Sequence, residues 1–234
     1  MPVTFVKNVG STIVSMGTSA AVTVPASGVP IGDLIVLRTC VNTNTTQSVA
    51  DSKGNTWTDT VGSVTASGGV TYSSLFYTFV TVALVSGDTI TTTYGASCSG
   101  GMVADQFSGL AGTMTATPGT GTGTSTTPSA TETPSAAGEL VYGSLAYNAN
   151  TTMTVDSDTT QGSWSVALTA VIVANMYTRG QYKITTGASA QTWDPTIGTS
   201  ASWVSILAAF PEASTGRSLV TMAPGLAVRR SANW

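Results

Sequence analysis

The sequence contains no histidine, and charged residues make up only 8% of the chain. Histidine is the commonest general base and the commonest transition-metal ligand in proteins. Its absence excludes Ser-His-Asp and Cys-His catalytic arrangements and every zinc site that needs a His ligand. We expect neither a metal site nor a cofactor.

The scarcity of charge also bears on the surface, because an average soluble protein has about 25% charged residues. Here the surface must owe its polarity to Thr, Ser, Asn and Gly. Charge is a usual means of keeping sheet edges apart, so such a surface is poorly defended against self-association and indicates a protein that functions inside an assembly. The net charge of −3, with scattered Lys and Arg, gives no electrostatic footprint for direct nucleic-acid binding.

Cysteines and long apolar runs are equally scarce. Cys40 lies in an apolar run and Cys98 in a Ser/Gly-rich stretch, which favours two separate thiols, with one disulfide as the alternative. The first residues lack the basic region and continuous apolar segment of a signal peptide. No run of about 18 or more apolar residues occurs, so we expect no membrane insertion.

What the chain does contain is an approximate internal repeat. Residues 32–58 and 138–165 each open with Gly and an acid, continue with an apolar run and an Asn/Thr-rich turn, and close with a Trp. The spacing from the acid to the Trp differs by one residue between the copies. Two such β units predict two halves of one sandwich, since a solenoid needs at least about three stacked copies.

We therefore predict an all-β protein, with a jelly-roll-like antiparallel β-sandwich in residues 1–212. Its pseudo-repeated halves are about 20–111 and 138–211. Residues 112–137, rich in Thr, Gly and Pro, hold almost nothing that could be buried. They are expected to form a long connection over the outside of the sandwich, with an interdomain linker as the alternative. Residues 213–234 are predicted to be an extended C-terminal arm.

Local patterns predict individual strands. The run from Leu34 to Val41 is apolar apart from Arg38, which indicates a central strand with Arg38 reaching the rim or a partner. Residues 1–9 and 20–24 predict two separate strands. Residues 51–55 have the composition of a hairpin turn.

The C-terminal arm combines apolar anchors, two adjacent arginines and a Trp. Extended peptides bind by adding a strand to a sheet, and Trp and Arg are frequent anchors. The arm is therefore either a loose end or a docking element, and the candidate docking residues are Leu219, Met222, Leu226, Arg229, Arg230 and Trp234.

Three tryptophans, Trp57, Trp164 and Trp193, are candidates for contact with a glycan. The competing interpretation is that they are core aromatics of the sandwich.

A pair of carboxylates can catalyse glycoside hydrolysis without a His, so the acids are candidate catalytic residues. Most of the eleven acids adjoin Gly or Ser at predicted turns. Asp51 and Asp156 occupy equivalent places in the two copies, so duplication explains both without catalysis. The spacing of Asp156 and Asp158 is similar to the start of a calcium loop, but no Gly at the sixth position and no acid at the twelfth follow. The sequence predicts a protein that is not an enzyme.

Several short motifs carry a family resemblance. They are Gly-Asp-Leu-Ile-Val (32–36), Asp-Ser-Lys-Gly-Asn-Thr-Trp (51–57), Tyr-Thr-Phe-Val-Thr (77–81), Ser-Gly-Asp-Thr-Ile-Thr (86–91), Gln-Phe-Ser-Gly-Leu (106–110) and Gly-Glu-Leu-Val-Tyr (138–142). With them the chain resembles, over about residues 20–211, the jelly-roll-like β-sandwich domains of virion proteins of tailed phages that infect actinobacteria. That family includes minor tail and capsid decoration proteins.

The resemblance implies a structural component of a virion, assembled in the bacterial cytoplasm, and brings no catalytic residues with it. A minor tail or tail-tip protein is the first interpretation, with other virion proteins and copies of itself in a symmetric oligomer as partners. A capsid decoration protein is one alternative. The other is a carbohydrate-binding module that recognises a glycan of the host cell envelope.

Overall fold

The computed structural model describes residues 1–66, 68–166, 168–173 and 175–213. All regular secondary structure in these residues is β-strand, and the pairings between strands are antiparallel. This confirms the predicted all-β, antiparallel class. None of these residues lies in a helix that could span a membrane.

The first half of the chain builds one large sheet. Its strands are β1 (Thr4–Thr23), β2 (Leu34–Val41), β3 (Gln47–Asp51), β4 (Thr58–Asp59), β5 (Val64–Thr65), β6 (Tyr72–Ser73), β7 (Leu75–Phe79) and β8 (Thr89–Ser108). The order runs β1-β8-β2-β6-β5, with β7 also beside β2, β3 beside β8 and β4 beside β7. As predicted, β2 is a central strand, and all eight of its residues are buried.

The sequence predicts two short strands, in residues 1–9 and 20–24, but the structure has the single strand β1 in their place. It is one strand that pairs with β8 from Thr4 to Thr23. Register shifts interrupt this pairing near Lys7, Asn8 and Gly17. Each bulge changes the face to which the following side chains point, so the sequence loses the alternation that would mark one long strand.

The second half builds a second main sheet and two small ones. The strands are β9 (Gly119–Ser125), β10 (Ala130–Glu132), β11 (Leu140–Asn148), β12 (Met153–Thr154), β13 (Val171–Val173), β14 (Met176–Ile184), β15 (Gln191–Trp193), β16 (Thr196–Ile197) and β17 (Ala201–Phe210). The main sheet has the order β13-β14-β11-β17-β9, and β10 pairs with β15 and β12 with β16.

Residues 112–137 do not only connect the two halves over the outside of the sandwich, as predicted, but also contribute strands. They include β9, which is an edge strand of the second main sheet, and β10. Ala130 and Glu132 are buried although the composition predicted almost no burial. Gly119, Gly121 and Gly123 alternate with threonines along β9, and the missing side chains let neighbouring groups approach closely.

The two main sheets pack face to face through a central core. It takes Leu34 and Val36 from β2 and Tyr142 and Ala146 from β11. The opposite face of the first sheet has its own core, called here the first outer core, which includes Ile35 and Leu37. The opposite face of the second sheet has a second outer core, formed by Val141, Leu145, Tyr147, Trp164, Tyr177, Trp193, Trp203 and neighbouring residues.

Both cysteines are free and buried, in agreement with the separate thiols favoured by the sequence. Burial raises the pKa of both thiols, most strongly that of Cys40. Each therefore acts as a small apolar side chain.

Candidate functional site

A buried polar network joins the two main sheets. Arg38 of β2 has 0% exposure and makes an ion pair with Asp105 of β8, which is equally buried. The same guanidinium donates to the hydroxyl of Tyr142 on β11 and to the carbonyl of Thr169. The Tyr142 hydroxyl in turn donates to Asp105 at 2.7 Å. Of the two alternatives predicted for Arg38, the rim is wrong, and the partner that its side chain reaches is Asp105 inside the sandwich.

The chemistry of this network is that of a structural cross-link. Burial raises the pKa of Tyr142 well above its ordinary value, and the nearby positive charge of Arg38 opposes this shift only in part. Tyr142 therefore stays neutral and keeps the proton that it donates. A charged pair with added hydrogen bonds is what a buried site of this kind requires.

A second buried cation lies on the other face of the second sheet. The Lys183 side chain of β14 has 0% exposure. Its ammonium donates to the Thr160 carbonyl at 3.0 Å and to Gln191 Oε1 at 3.1 Å, and lies 3.3 Å from Asp158 Oδ2. It also sits 4.7 Å from the centroid of the Trp164 ring, within the range of a cation–π contact. No sequence motif predicts this cluster, because Lys183 lies 8, 23 and 25 residues from Gln191, Thr160 and Asp158.

An open groove of about 480 Å³ beside this cluster is lined by Asp156, Asp158 and Asp194 among other residues. Both carboxylate oxygens of Asp156 accept backbone N–H groups, from Asp158 at 2.8 Å and Asp194 at 3.1 Å. Burial, followed by the negative charge of Asp156, raises the pKa of Asp194. Within the described ranges no group of three or more His, Cys, Asp or Glu side chains is placed to hold a metal ion.

Asp51, in the first half of the chain, also accepts backbone N–H groups through its carboxylate, as Asp156 does in the second. Its Oδ1 accepts the backbone N–H groups of Lys53 at 2.9 Å and Asn55 at 3.2 Å, while its Oδ2 accepts the indole N–H of Trp57 at 2.9 Å. The turn that residues 51–55 predicted is therefore present, but it does not close a hairpin, because β3 pairs with β8 and β4 pairs with β7. Asp51 and Asp156 are thus both occupied in ordering a turn.

The three candidate glycan-contact tryptophans are not brought together on one surface. Trp193 has 0% exposure and donates its indole N–H to Gln181 at 2.9 Å, and Trp164 is 8% exposed. Both pack in the second outer core, so neither presents an open aromatic face. Trp57 is half-buried against the first outer core. The glycan prediction therefore depends on Trp57 alone.

The predicted docking residues fall outside the described part of the chain. They are Leu219, Met222, Leu226, Arg229, Arg230 and Trp234. Ala213 is the last described residue, and its N–H donates to the carbonyl of Gly109 at 2.8 Å.

Comparison with known proteins identifies no relative. No protein-family model matches the chain, and neither a curated protein nor a solved structure matches it significantly.

Proposed function

We propose that this chain is a non-enzymatic structural component of a tailed-phage virion, a minor tail or tail-tip protein that assembles as a symmetric oligomer. The observation that carries the proposal is how little charge the surface has. Six of the sixteen charged side chains in residues 1–213 are buried, namely Arg38, Asp105, Glu132, Glu139, Asp156 and Lys183. Burial thus removes charge from a surface that already had little.

The exposed apolar side chains point the same way. Met16 is 83% exposed, Val166 82% and Ile31 66%. Single exposed apolar residues are ordinary in soluble proteins. Combined with low charge, however, they leave few groups that would oppose contact with another subunit. A surface of this kind suits a protein that is held among copies and neighbours.

The finer fold belongs to the same proposal. We infer a jelly-roll-like sandwich whose halves derive from one duplicated unit. The order β1-β8-β2-β7 in the first half corresponds to β9-β17-β11-β14 in the second, which supports this inference. Superposition of the halves in an experimental structure would test it: unrelated strand paths after alignment of β2 with β11 would contradict the duplication.

The test of the virion role begins with purified particles of the phage that encodes the chain. Heads and tails are separated and each fraction is analysed by mass spectrometry. We expect the chain in the tail fraction at a fixed copy number. Recovery only with heads would assign it to capsid decoration, and absence from both would contradict a structural role.

A particle that lacks the protein gives the second measurement. Electron microscopy should show an incomplete tail tip, or infection should fail. Particles that are complete and fully infectious would count against the proposal.

Host-glycan recognition is the competing function, and the partial exposure of Trp57 is what favours it. Binding of host cell-wall polysaccharide should then quench Trp fluorescence in the unmodified chain but not in Trp57→Ala. An unchanged spectrum with saturating polysaccharide would remove this candidate.

A further inference from the structure

Strand β1 has a long free edge. It spans Thr4–Thr23, and in the part of the chain that the structure describes its only strand partner is β8. Among the described residues, no strand pairs with the backbone groups on its other side. Such an edge is a template for pairing with another segment unless charge, proline or bulges protect it.

The protection of this edge is incomplete. Lys7 is its only charged residue, and the Lys7 ammonium is turned toward the loop at Ser27 and Gly28, to which it donates. The bulges leave residues 10–14 in continuous register with β8. Ile13 in this stretch is 53% exposed. An uninterrupted, uncharged segment with an exposed apolar side chain is a suitable acceptor for an added strand.

Met16, two residues after this segment, supports the same conclusion. Its backbone has a φ of 51°, a conformation that residues other than Gly seldom adopt. A hydrogen bond from its N–H to Ser99 Oγ at 3.1 Å accompanies this conformation. The result is an 83% exposed Met side chain beside the free edge. Strained residues of this kind concentrate at binding sites.

The C-terminal segment leaves the described structure next to the start of β1. Glu212 pairs with Leu110, and Ala213 bonds to Gly109. A side chain added at Gly109 would come within 2.4 Å of the Pro2 carbonyl oxygen, so this corner also holds the residues that precede β1. Residues 214–234 thus follow from a point close to the free edge.

The composition of residues 214–234 suits this segment to pairing with the free edge of β1. Residues 218–223, read as SLVTMA, form a short apolar run with strand-forming residues, and Pro224 ends it. Residues 214–234 contain three of the eight Lys and Arg residues and none of the eleven acids. The segment therefore carries a charge of +3, against −6 for residues 1–213. Opposite charges favour its return to a folded body.

Chain direction disfavours antiparallel addition of residues 218–223 to β1 of their own copy, which leaves the edge of a second copy as the antiparallel acceptor. The pairing of Glu212 with Leu110 is antiparallel, as is that of β1 with β8. The chain at residue 213 therefore runs in the same direction as the start of β1. To pair antiparallel with its own β1, it would have to travel along the strand and turn back within residues 214–217, which span only about 13 Å. The edge of another copy has no such restriction.

We propose that residues 218–223 of one copy add as an antiparallel strand to residues 10–14 of β1 in a second copy. The exchange is reciprocal about a twofold axis, so each copy both gives and accepts a strand. This inference deepens the proposed assembly role, on which it rests, by naming the contact between copies.

Cysteine cross-linking of the full-length chain tests the contact. The native cysteines are buried and give little background. Purified Ser11→Cys protein is mixed with purified Val220→Cys protein and treated with a short bis-maleimide, which tolerates a shift of one residue in register. The matched control mixes Val220→Cys with Ser63→Cys, since Ser63 is exposed beside β5 at the opposite edge of the same sheet.

We expect the Ser11→Cys mixture to give at least tenfold more covalent dimer than the control mixture. Equal yields would overturn the proposal. The double variant Ser11→Cys/Val220→Cys should give cross-linked dimer at low protein concentration. An internally cross-linked monomer alone would show pairing within one chain and would also overturn it.

An edge variant provides a second readout. Ile13→Lys places an outward charge on the acceptor strand and should convert the dimer to monomer in light scattering after gel filtration. Val82→Lys, at a 47% exposed position outside β1, should leave the dimer intact. Circular dichroism verifies that both variants fold. These measurements use the isolated chain, so their failure would refute the edge contact while leaving the test on virions independent.

Discussion

Arg38 and Asp105 have no contact with water, so each charge depends on the other and on Tyr142. Removing one member leaves an uncompensated charge inside the sandwich. We expect Asp105→Asn and Arg38→Met each to lower the free energy of unfolding by about 3–5 kcal/mol. Urea denaturation followed by circular dichroism measures the loss.

The exposed pair Lys53–Asp88 is the matched control, with its charged atoms 3.3 Å apart and a 36% exposed Lys side chain. Lys53→Met should change stability by less than about 1 kcal/mol. The double variant Arg38→Met/Asp105→Leu should lose less than either single variant, because no charge is left unpaired. A double variant less stable than both would contradict this account.

The raised pKa of Asp194 predicts how the stability of an Asp194→Asn variant depends on pH. Burial and the neighbouring Asp156 and Asp158 raise its pKa in the folded protein, so its ionised form is disfavoured there. Asp194→Asn should therefore raise stability above that raised pKa. The gain should shrink as the pH falls and vanish below the unfolded value of about 3.9. Denaturation curves measured from pH 3 to pH 8 give the profile.

Substitution of Asp88 should change stability in the opposite direction, so Asp88→Asn serves as the control. A hydrogen bond from the Val85 N–H, with weaker contributions from Ser52 and Lys53, lowers its pKa. Its stabilisation is present above the unfolded value and is lost as the pH falls through the folded one. Asp88→Asn should thus lower stability at neutral pH. Two variants with the same sign would refute the assignments.

Residue identity could predict some of these features but not their partners. The acid at position 51 and the glycine at position 54 specify a turn within a few residues, and that turn is present. Arg38 pairs with Asp105, 67 residues away. No local pattern records such a contact, so the sequence leaves open whether Arg38 reaches the rim or a partner.

At the scale of elements, β9 shows how a strand can form without apolar residues. Gly121 lies against the backbone of Ser129, and a Cβ added at Gly121 would lie 1.8 Å from the Ser129 carbonyl oxygen. Gly123 lies against the Trp203 ring, and a Cβ added there would lie 2.7 Å from that ring. The close approach takes the place of side-chain packing. Hydrophobic periodicity detects β2 but cannot detect a strand of this type.

Gly121→Val should therefore separate β9 from residues 129–131. A clash with backbone cannot be relieved by a rotamer change, so we expect a loss of about 1–3 kcal/mol or more. Thermal unfolding measures the stability, and hydrogen exchange should show faster exchange in β9. The neighbouring Thr122 is exposed, and Thr122→Val should stay within about 0.5 kcal/mol. Equal effects at both positions would contradict the role of the glycines.

At the scale of the whole molecule, each main sheet contributes to two cores. The face of β2 with Leu34 and Val36 lies in the central core, and the face with Leu37 lies in the first outer core. A change in an outer core is therefore transmitted to the other half through a shared sheet. Unfolding should be a single cooperative transition.

Leu37→Ala and Leu145→Ala test this cooperativity, since they lie in the first and second outer cores. Each should lower stability by about 2–5 kcal/mol. Tryptophan fluorescence reports mainly on the second outer core, which holds Trp164, Trp193 and Trp203, whereas far-ultraviolet circular dichroism reports on all strands. The two signals should coincide for both variants. A fluorescence transition that Leu37→Ala leaves unmoved would mean that the halves unfold separately.

The cross-link between Arg38, Asp105 and Tyr142 has a mechanical consequence. The hydrophobic effect has no preferred direction, whereas hydrogen bonds have preferred directions and lengths. The network therefore selects one alignment of the two sheets and resists displacement along the strands. A subunit held from both sides would transmit part of a pulling force between its sheets through these three side chains.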